Sequence, residues 1–210
     1  MKRLLGGLAA AAMVAGAQAA DSGTYVKVDV GPNYLGEIRQ RFTQLPIPPT
    51  DPNFTNPRDL KMNLGVRASV AEGFLLNRFM AVEVEAALLW NELDEGVDWL
   101  MQLPLLANFV LRYECKGGFG VFAGIGGGGA AVIANATTIF EDTDTTFVPV
   151  WQGTAGLSYN FTPNSSIGVV YKYMGMTDPK FELSGFGITE VFKLEDIHNH
   201  YAGLQFTFSF

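Results

Sequence analysis

From residue 24 to its last residue the chain alternates apolar and polar side chains with a period of two, in segments divided by turn-like stretches. It ends on "LQFTFSF", where Leu204, Phe206, Phe208 and Phe210 interleave with Gln205, Thr207 and Ser209. That period puts successive side chains on opposite faces of a strand, so one face is apolar and the other polar. Eight segments carry the pattern: residues 24–30, 62–70, 81–90, 101–113, 119–133, 151–161, 167–173 and 198–210. Their apolar faces hold Val26, Val28 and Val30, then Val82, Val84 and Trp90, then Leu103, Leu105, Phe109 and Tyr113. Trp151, Leu157, Tyr159, Phe161, Val169 and Tyr171 continue the series.

The connections alternate in length. "EGFLLNR", "ECKGG" and "TPNS" are tight, whereas the stretches near 36–60, 91–98, 134–148 and 174–197 are long. Five of the ten prolines fall within residues 46–57, which argues against regular structure there. Trp90, Trp99 and Trp151 all lie on the apolar face at the long-loop ends, and Tyr113, Tyr159, Phe161 and Phe210 lie at the short-turn ends. Two aromatic girdles therefore emerge from a face assignment made without them.

The two ends of the chain point the same way. The opening "MKRLLGGLAAAAMVAGAQAAD" has a basic start at Lys2 and Arg3, an apolar run and a small-x-small site at Ala17-Gln18-Ala19, as an export signal has. The expected organisation is a signal peptide over 1–19 and one barrel domain over 20–210. Loss of Lys2 and Arg3 takes the net charge from −7 to −9 (−7 minus 2), which argues against nucleic acid as a partner. Cys115 is the only cysteine, so no disulfide framework is available.

An eight-stranded barrel can present its apolar face inward, as soluble lipocalin-like barrels do, or outward to lipid. Side-chain volume favours lipid, because a narrow lumen suits the set with glycines and opposed charges better than the set with most of the tryptophans and phenylalanines. The fold expected is all-β: an eight-stranded antiparallel up-and-down transmembrane barrel, monomeric, with outer-membrane lipid around it.

The stretches "LPLLANFVLRY", "GFGVFAGIGGGGA" and "GLSYNF…SIGVVYKY", with the terminal Phe206, Phe208 and Phe210, resemble the small eight-stranded outer-membrane barrels. These OmpA/OmpX-type and opacity-type proteins are grouped as the outer-membrane protein β-barrel domain family. The resemblance implies that the barrel-assembly machinery reads the C-terminal aromatic strand as an assembly signal.

Candidate chemistry is sparse. "GIGGGG" satisfies G-x-G-x-x-G, but the following "AAVIANATT" alternates rather than forming the helix a dinucleotide site needs; the glycines are expected to permit close approach in a crowded interior. Glu83 and Glu85, two apart, both face the lumen and are expected to join Arg67, Arg112 and Lys172 in an ion cluster that plugs the barrel. His198 and His200 sit at the external end of the last strand, where the stretch reads "HNH" without a His-x-Ser pairing, and no converging catalytic constellation is expected there. "EDTDTT" lacks the glycine and closing Glu of an EF-hand and reads as a solvated loop tip. Pro104 falls inside a wall strand, where a bulge is expected. No cofactor and no catalytic or metal site is expected. The function expected is non-enzymatic: envelope integrity, or contact with an extracellular ligand through loops 36–60 and 174–197, with a lumen too full for a general porin. A lipid-modifying enzyme is the alternative. The alternation in the last long loop predicts that the seventh and eighth strands continue above the bilayer.

Overall fold

In the computed structural model, residues 23–44, 56–61, 63–92, 99–136, 142–185 and 188–210 are described; the expected signal segment and the centre of the proline-rich stretch lie outside them. Twelve strands form: β1 (Thr24–Leu35), β2 (Ile38–Gln44), β3 (Arg58–Leu60), β4 (Gly65–Asn77), β5 (Met80–Glu92), β6 (Trp99–Glu114), β7 (Phe119–Ala136), β8 (Asp142–Thr162), β9 (Ser165–Met176), β10 (Lys180–Gly185), β11 (Ile188–Glu195) and β12 (His198–Ser209). Eight of them close an antiparallel barrel in the order β1-β12-β9-β8-β7-β6-β5-β4, and β4 pairs back onto β1. The other four make a separate sheet in the order β10-β11-β2-β3.

Pairing fixes the tilt of the wall. Tyr25 pairs with Gly73, and the row continues through Glu83, Asn108, Gly126, Gln152, Met174 and Asn199 to Leu35. One circuit therefore climbs ten residues of β1 (35 minus 25). With a rise of about 3.3 Å per residue and strands about 4.8 Å apart, this tilts the strands about 40° from the barrel axis. The climb also explains Trp151. It lies well inside β8, yet it stands near the height of Trp90, because each step around the wall raises a row by more than a residue.

The face assignment follows the alternation. Val28, Val30, Leu105, Ile125, Leu157, Val169 and Leu204 all point outward, with Ile125 72% and Leu204 60% exposed. A continuous apolar wall of this size is far beyond the patches that water-soluble monomers expose. Inside, Lys27, Asp29, Arg67, Glu83, Glu85 and Lys172 are buried.

The interior differs from the small polar lumen expected. In its upper half buried amides interleave with an apolar core of Leu35, Leu89, Leu100, Leu106, Val132 and Met174, which is continuous with Ile38, Phe181, Phe192, Leu194 and Ile197 of the four-stranded sheet and its approach to β12. That sheet is built from both long loops that flank the β1–β12 seam. The predicted extension of the last two wall strands is thus realised as a distinct hairpin, β10–β11. It is set off by residues 177–179 and by Asp196, whose φ of 62° re-aims the chain into β12. β2, unexpected in the 36–60 loop, pairs with β11 from Arg39↔Glu195 to Gln44↔Val191. Lys193 of β11 bonds Asp178 at 2.6 Å, and that hydrogen bond raises the lysine's pKa.

Two further expectations are corrected. Residues 142–146 of "EDTDTT" are not a loop tip but the start of β8, which pairs with β7 from Asp142↔Ala136 onward; Glu141 lies outside the described residues. Asp144 is committed there, its Oδ2 accepting the Glu182 backbone N–H at 2.8 Å and so tying the wall to β10. Pro104 sits in β6 without a bulge. Pairing with β5 lapses at Ala87 and Leu88, opposite Leu103 and Pro104, and resumes in the same register, while the β7 ladder runs on unbroken through Pro104↔Ala130. The missing N–H interrupts one ladder locally, and the strands need not slip.

Val84 points outward midway between the girdles. Val84→Arg is expected to destabilise the barrel in lipid vesicles by about 2–4 kcal/mol, measured by reversible urea unfolding. In a barrel whose outer wall met water the same change would be close to neutral.

Candidate functional site

Strand parity puts Glu83 and Glu85 of β5 on the same inner face, and the tilt of the wall separates them into two ionic sets. In the first, Glu85 is saturated. Its Oε1 accepts from Lys172 Nζ at 2.5 Å and Arg67 Nη2 at 2.8 Å, and its Oε2 accepts from Asn108 Nδ2 and Gln152 Nε2, both at 2.9 Å. Lys172 also donates to Asp29 Oδ2 at 2.7 Å and to Ser69 Oγ at 3.0 Å. Arg67 donates from Nη2 to Gln152 Oε1 at 2.6 Å and lies over the Tyr201 ring, 5.3 Å from its centroid. In the second set, nearer the short-turn end, Lys27 Nζ contacts both oxygens of Glu83 at 2.6 Å, and Tyr25 Oη donates to Glu83 at 2.5 Å.

The two sets are charge-balanced, with cations Lys27, Arg67 and Lys172 against acids Asp29, Glu83 and Glu85. All six side chains are buried, so each charge loses its water and is replaced by partners within the lumen. On the external side the network continues through amides. Asn33 donates to Asn91 Oδ1 at 2.9 Å and to Asn199 Oδ1 at 3.0 Å, and Asn199 donates to Gln102 Oε1 at 2.9 Å. Gly126 is required at this level, because a Cβ there would overlap the Asn108 side chain that holds Glu85. Gly124 and Gly128 also face inward without room for a Cβ, so the "GIGGGG" run makes space for its neighbours.

Of the five residues expected in the cluster, Arg67, Glu85 and Lys172 meet, Glu83 stands in the second set, and Arg112 belongs to neither. Arg112 pairs instead with Glu114 at the short-turn mouth and lies 5.9 Å from the Tyr25 ring. Its parity is right but its height is wrong. Lys27 and Asp29 take the place expected for it; both had shown the inward parity.

The girdle residues fall into two rings. At the external end Trp90 stacks on Trp99 with ring centroids 4.7 Å apart, and Trp151 packs on Tyr173 at 5.2 Å. At the other end Phe119 meets Tyr159 at 5.0 Å, Phe161 meets Phe206 at 6.1 Å, Phe208 meets Phe210 at 5.1 Å, and Tyr113 stacks on Phe79. The last strand seals the wall: Ser209 pairs with Tyr25, and the Phe210 N–H donates to Thr24 O at 3.0 Å. His198 and His200 belong to the external ring. Tyr171 Oη bonds His200 Nδ1 at 2.8 Å, and Tyr173 Oη bonds His198 Nδ1 at 3.0 Å, so the partners of both imidazoles are phenols. Among the described residues no three His, Cys, Asp or Glu side chains gather as a metal site.

This geometry defines a class, the small closed eight-stranded barrel of outer-membrane type. Solved structures similar to the chain have that form. Neisserial surface protein A matches with a TM-score of 0.56 and 11% identity over 90% of this chain and 98% of its own. The outer membrane protein OprG from Pseudomonas aeruginosa matches at 0.54 and 13% over 91% and 98%. The outer membrane protein AlkL, solved in DMPC bilayers, matches at 0.55 and 13% over 90% of each. No protein-family model and no curated protein matches the chain.

Because Glu85 neutralises two buried cations, Glu85→Ala is expected to cost about 3–5 kcal/mol in the same vesicle unfolding measurement. Arg112→Ala, which breaks a half-exposed pair at the mouth, is expected to cost about 1 kcal/mol or less. Equal costs at the two positions would contradict the separation of Arg112 from the cluster.

Proposed function

We propose that the chain is an exported outer-membrane protein whose barrel is a sealed scaffold for its extracellular sheet, with a non-enzymatic role in surface contact or envelope integrity. The observation that carries this reading is the balanced ionic set at mid-barrel, covered above by hydrogen-bonded amides and the apolar core. Together they leave no aqueous path for solutes. A charged or polar solute would have to break buried ion pairs and then part hydrogen-bonded amides packed among leucines, each step costing several kcal/mol.

Support for the membrane setting comes from the apolar wall, the two aromatic rings and the fold shared with outer-membrane proteins. The N-terminal signal would bring the chain across the inner membrane. The Phe206, Phe208 and Phe210 strand, at the seam that closes the barrel, would present the assembly signal. Recognition falls to β2, β3, β10 and β11, since variable segments on a rigid scaffold are where binding residues concentrate.

Two measurements test the reading. The purified chain in detergent should migrate differently on gels before and after boiling, and in planar bilayers it should give no steady conductance; a porin-sized current would overturn the sealed-scaffold proposal. Replacing residues 38–60 and 180–195 by short turns should preserve the mobility shift and lower adherence of expressing cells to laminin-coated plates, or their survival in bile salts, at least several-fold. Unchanged behaviour in both assays would remove the role given to the sheet.

A further inference from the structure

The outer wall is not uniformly convex. Across β1, β12, β9 and β8 it carries a shallow apolar groove of about 860 Å³, walled by Val30, Leu204, Val169, Leu157 and Tyr171. Small outward residues make the dent. Ala202, Tyr171 and Ala155 are paired in one row, and Leu204, Val169 and Leu157 in the row below. Pro32 extends the floor on β1, and behind it the wall is thin, with Gly31, Gly156 and Gly203 facing in. The Phe122 ring fills the space where a Cβ of Gly156 would stand.

The row above the groove is His200 paired with Tyr173, flanked by Tyr34, whose ring lies 6.3 Å from His200. Tyr171 joins the two levels, since its ring lines the groove and its hydroxyl bonds His200. His198 stacks on Tyr173 at 5.7 Å, one strand step nearer the extracellular sheet. With each Nδ1 engaged by a tyrosine, Nε2 is the ring nitrogen left for a ligand on both histidines. An apolar trough thus ends, at the height of the external aromatic ring, in two oriented imidazoles.

We propose that this groove and the His198–His200 pair form a lipid site on the outer-leaflet half of the wall. The occupant is a phosphorylated, acylated glycolipid of the lipid A type, with one acyl chain in the groove and a phosphate at the imidazoles. The trough lies between the aromatic rings, where the surroundings are hydrocarbon, so a chain of membrane lipid is what fills it. It opens toward the face bearing the extracellular sheet, which in an outer membrane is the glycolipid leaflet. The histidine side chains supply donors suited to phosphate oxygens. Nothing in the scaffold role demands this site: a barrel needs greasy walls, not a concave strip topped by hydrogen-bonded histidines.

The proposal rests on the outer-membrane reading, and the test separates the two. The full chain is placed in phosphatidylcholine nanodiscs containing lipid A, with the boiling-dependent mobility shift confirming insertion, and native mass spectrometry then counts lipid retained after mild delipidation. Wild type should keep one lipid A per barrel. A filled groove, Ala155→Leu with Ala202→Phe, and separately the pair His198→Ala and His200→Ala, should each lower that occupancy at least fivefold while still showing the mobility shift. Dephosphorylated lipid A on wild type should behave as intact lipid A does on the histidine variant. Failure to insert defeats both readings. An inserted barrel whose two variants retain lipid A like wild type, or which holds phosphatidylglycerol as well as lipid A, overturns this site alone.

Discussion

The pairing of β12 with β1 is the interaction on which everything else hangs. In hydrocarbon an unpaired backbone N–H or C=O has no water to turn to, so an open sheet edge is not tolerated and the wall must close on itself. Closure joins the first and last described strands, from Tyr25↔Ser209 to Leu35↔Asn199, and it can do so only at one register. That register sets the climb of ten residues per circuit, hence the tilt, the bore and the height of every side chain. A bore fixed in this way has to be filled. The lower half is filled by ions that cancel, and above them leucines and methionine interleave with hydrogen-bonded amides. Arg67 stands beside Leu89 and Glu85 beside Leu106, so each charge is met by an opposite partner across the bore and not by segregation from apolar neighbours.

The same closure brings the two loop insertions together. β1 and β12 are neighbours in the wall, so the chain leaving β1 and the chain entering β12 emerge side by side. β2 and β11 then pair as a continuation of that seam, tilted away at residues 36–37 and 196–197. Their inward residues, Ile38, Phe192 and Leu194, sit on the leucines below, so the sheet is a lid continuous with the interior rather than a set of independent loops.

What could be read in the sequence follows from which quantities are local. Parity is local, so the eight wall strands, their lipid face and both girdles were legible from alternation alone. Height is not local, because it depends on the register of every pair around the circuit. For that reason Arg112 looked like a partner of Glu85 and is not, while Lys27 was not singled out as the partner of Glu83. The apolar half of the interior was hidden for a different reason. In "LPLLANFVL" the inward Leu106 and Val110 stand beside outward Leu105, Phe109 and Leu111, so two apolar faces merge into one unbroken run. β2, "IRQRFTQ", was obscured by two arginines that are spent on pairing across the sheet, Arg41 with Glu195 at 2.9 Å and Arg39 with Asp59 and Asp196 at 3.7 Å.

A filled lumen and a patterned exterior are two consequences of one economy of space. With eight strands the bore is largely filled by its own side chains, so the larger surfaces open to a ligand are the four-stranded sheet and the outer wall. On the wall, specificity requires departure from the featureless grease that insertion alone would select. The β1–β12–β9–β8 face departs from it twice, by shedding side-chain bulk at Ala155 and Ala202 and by placing hydrogen-bonded histidines where simple hydrophobicity would have served. Both departures lie beside the seam that also supports the four-stranded sheet. A lipid held there would brace the two strands from which β2 and β11 spring, and so couple the order of the sheet to the leaflet beneath it.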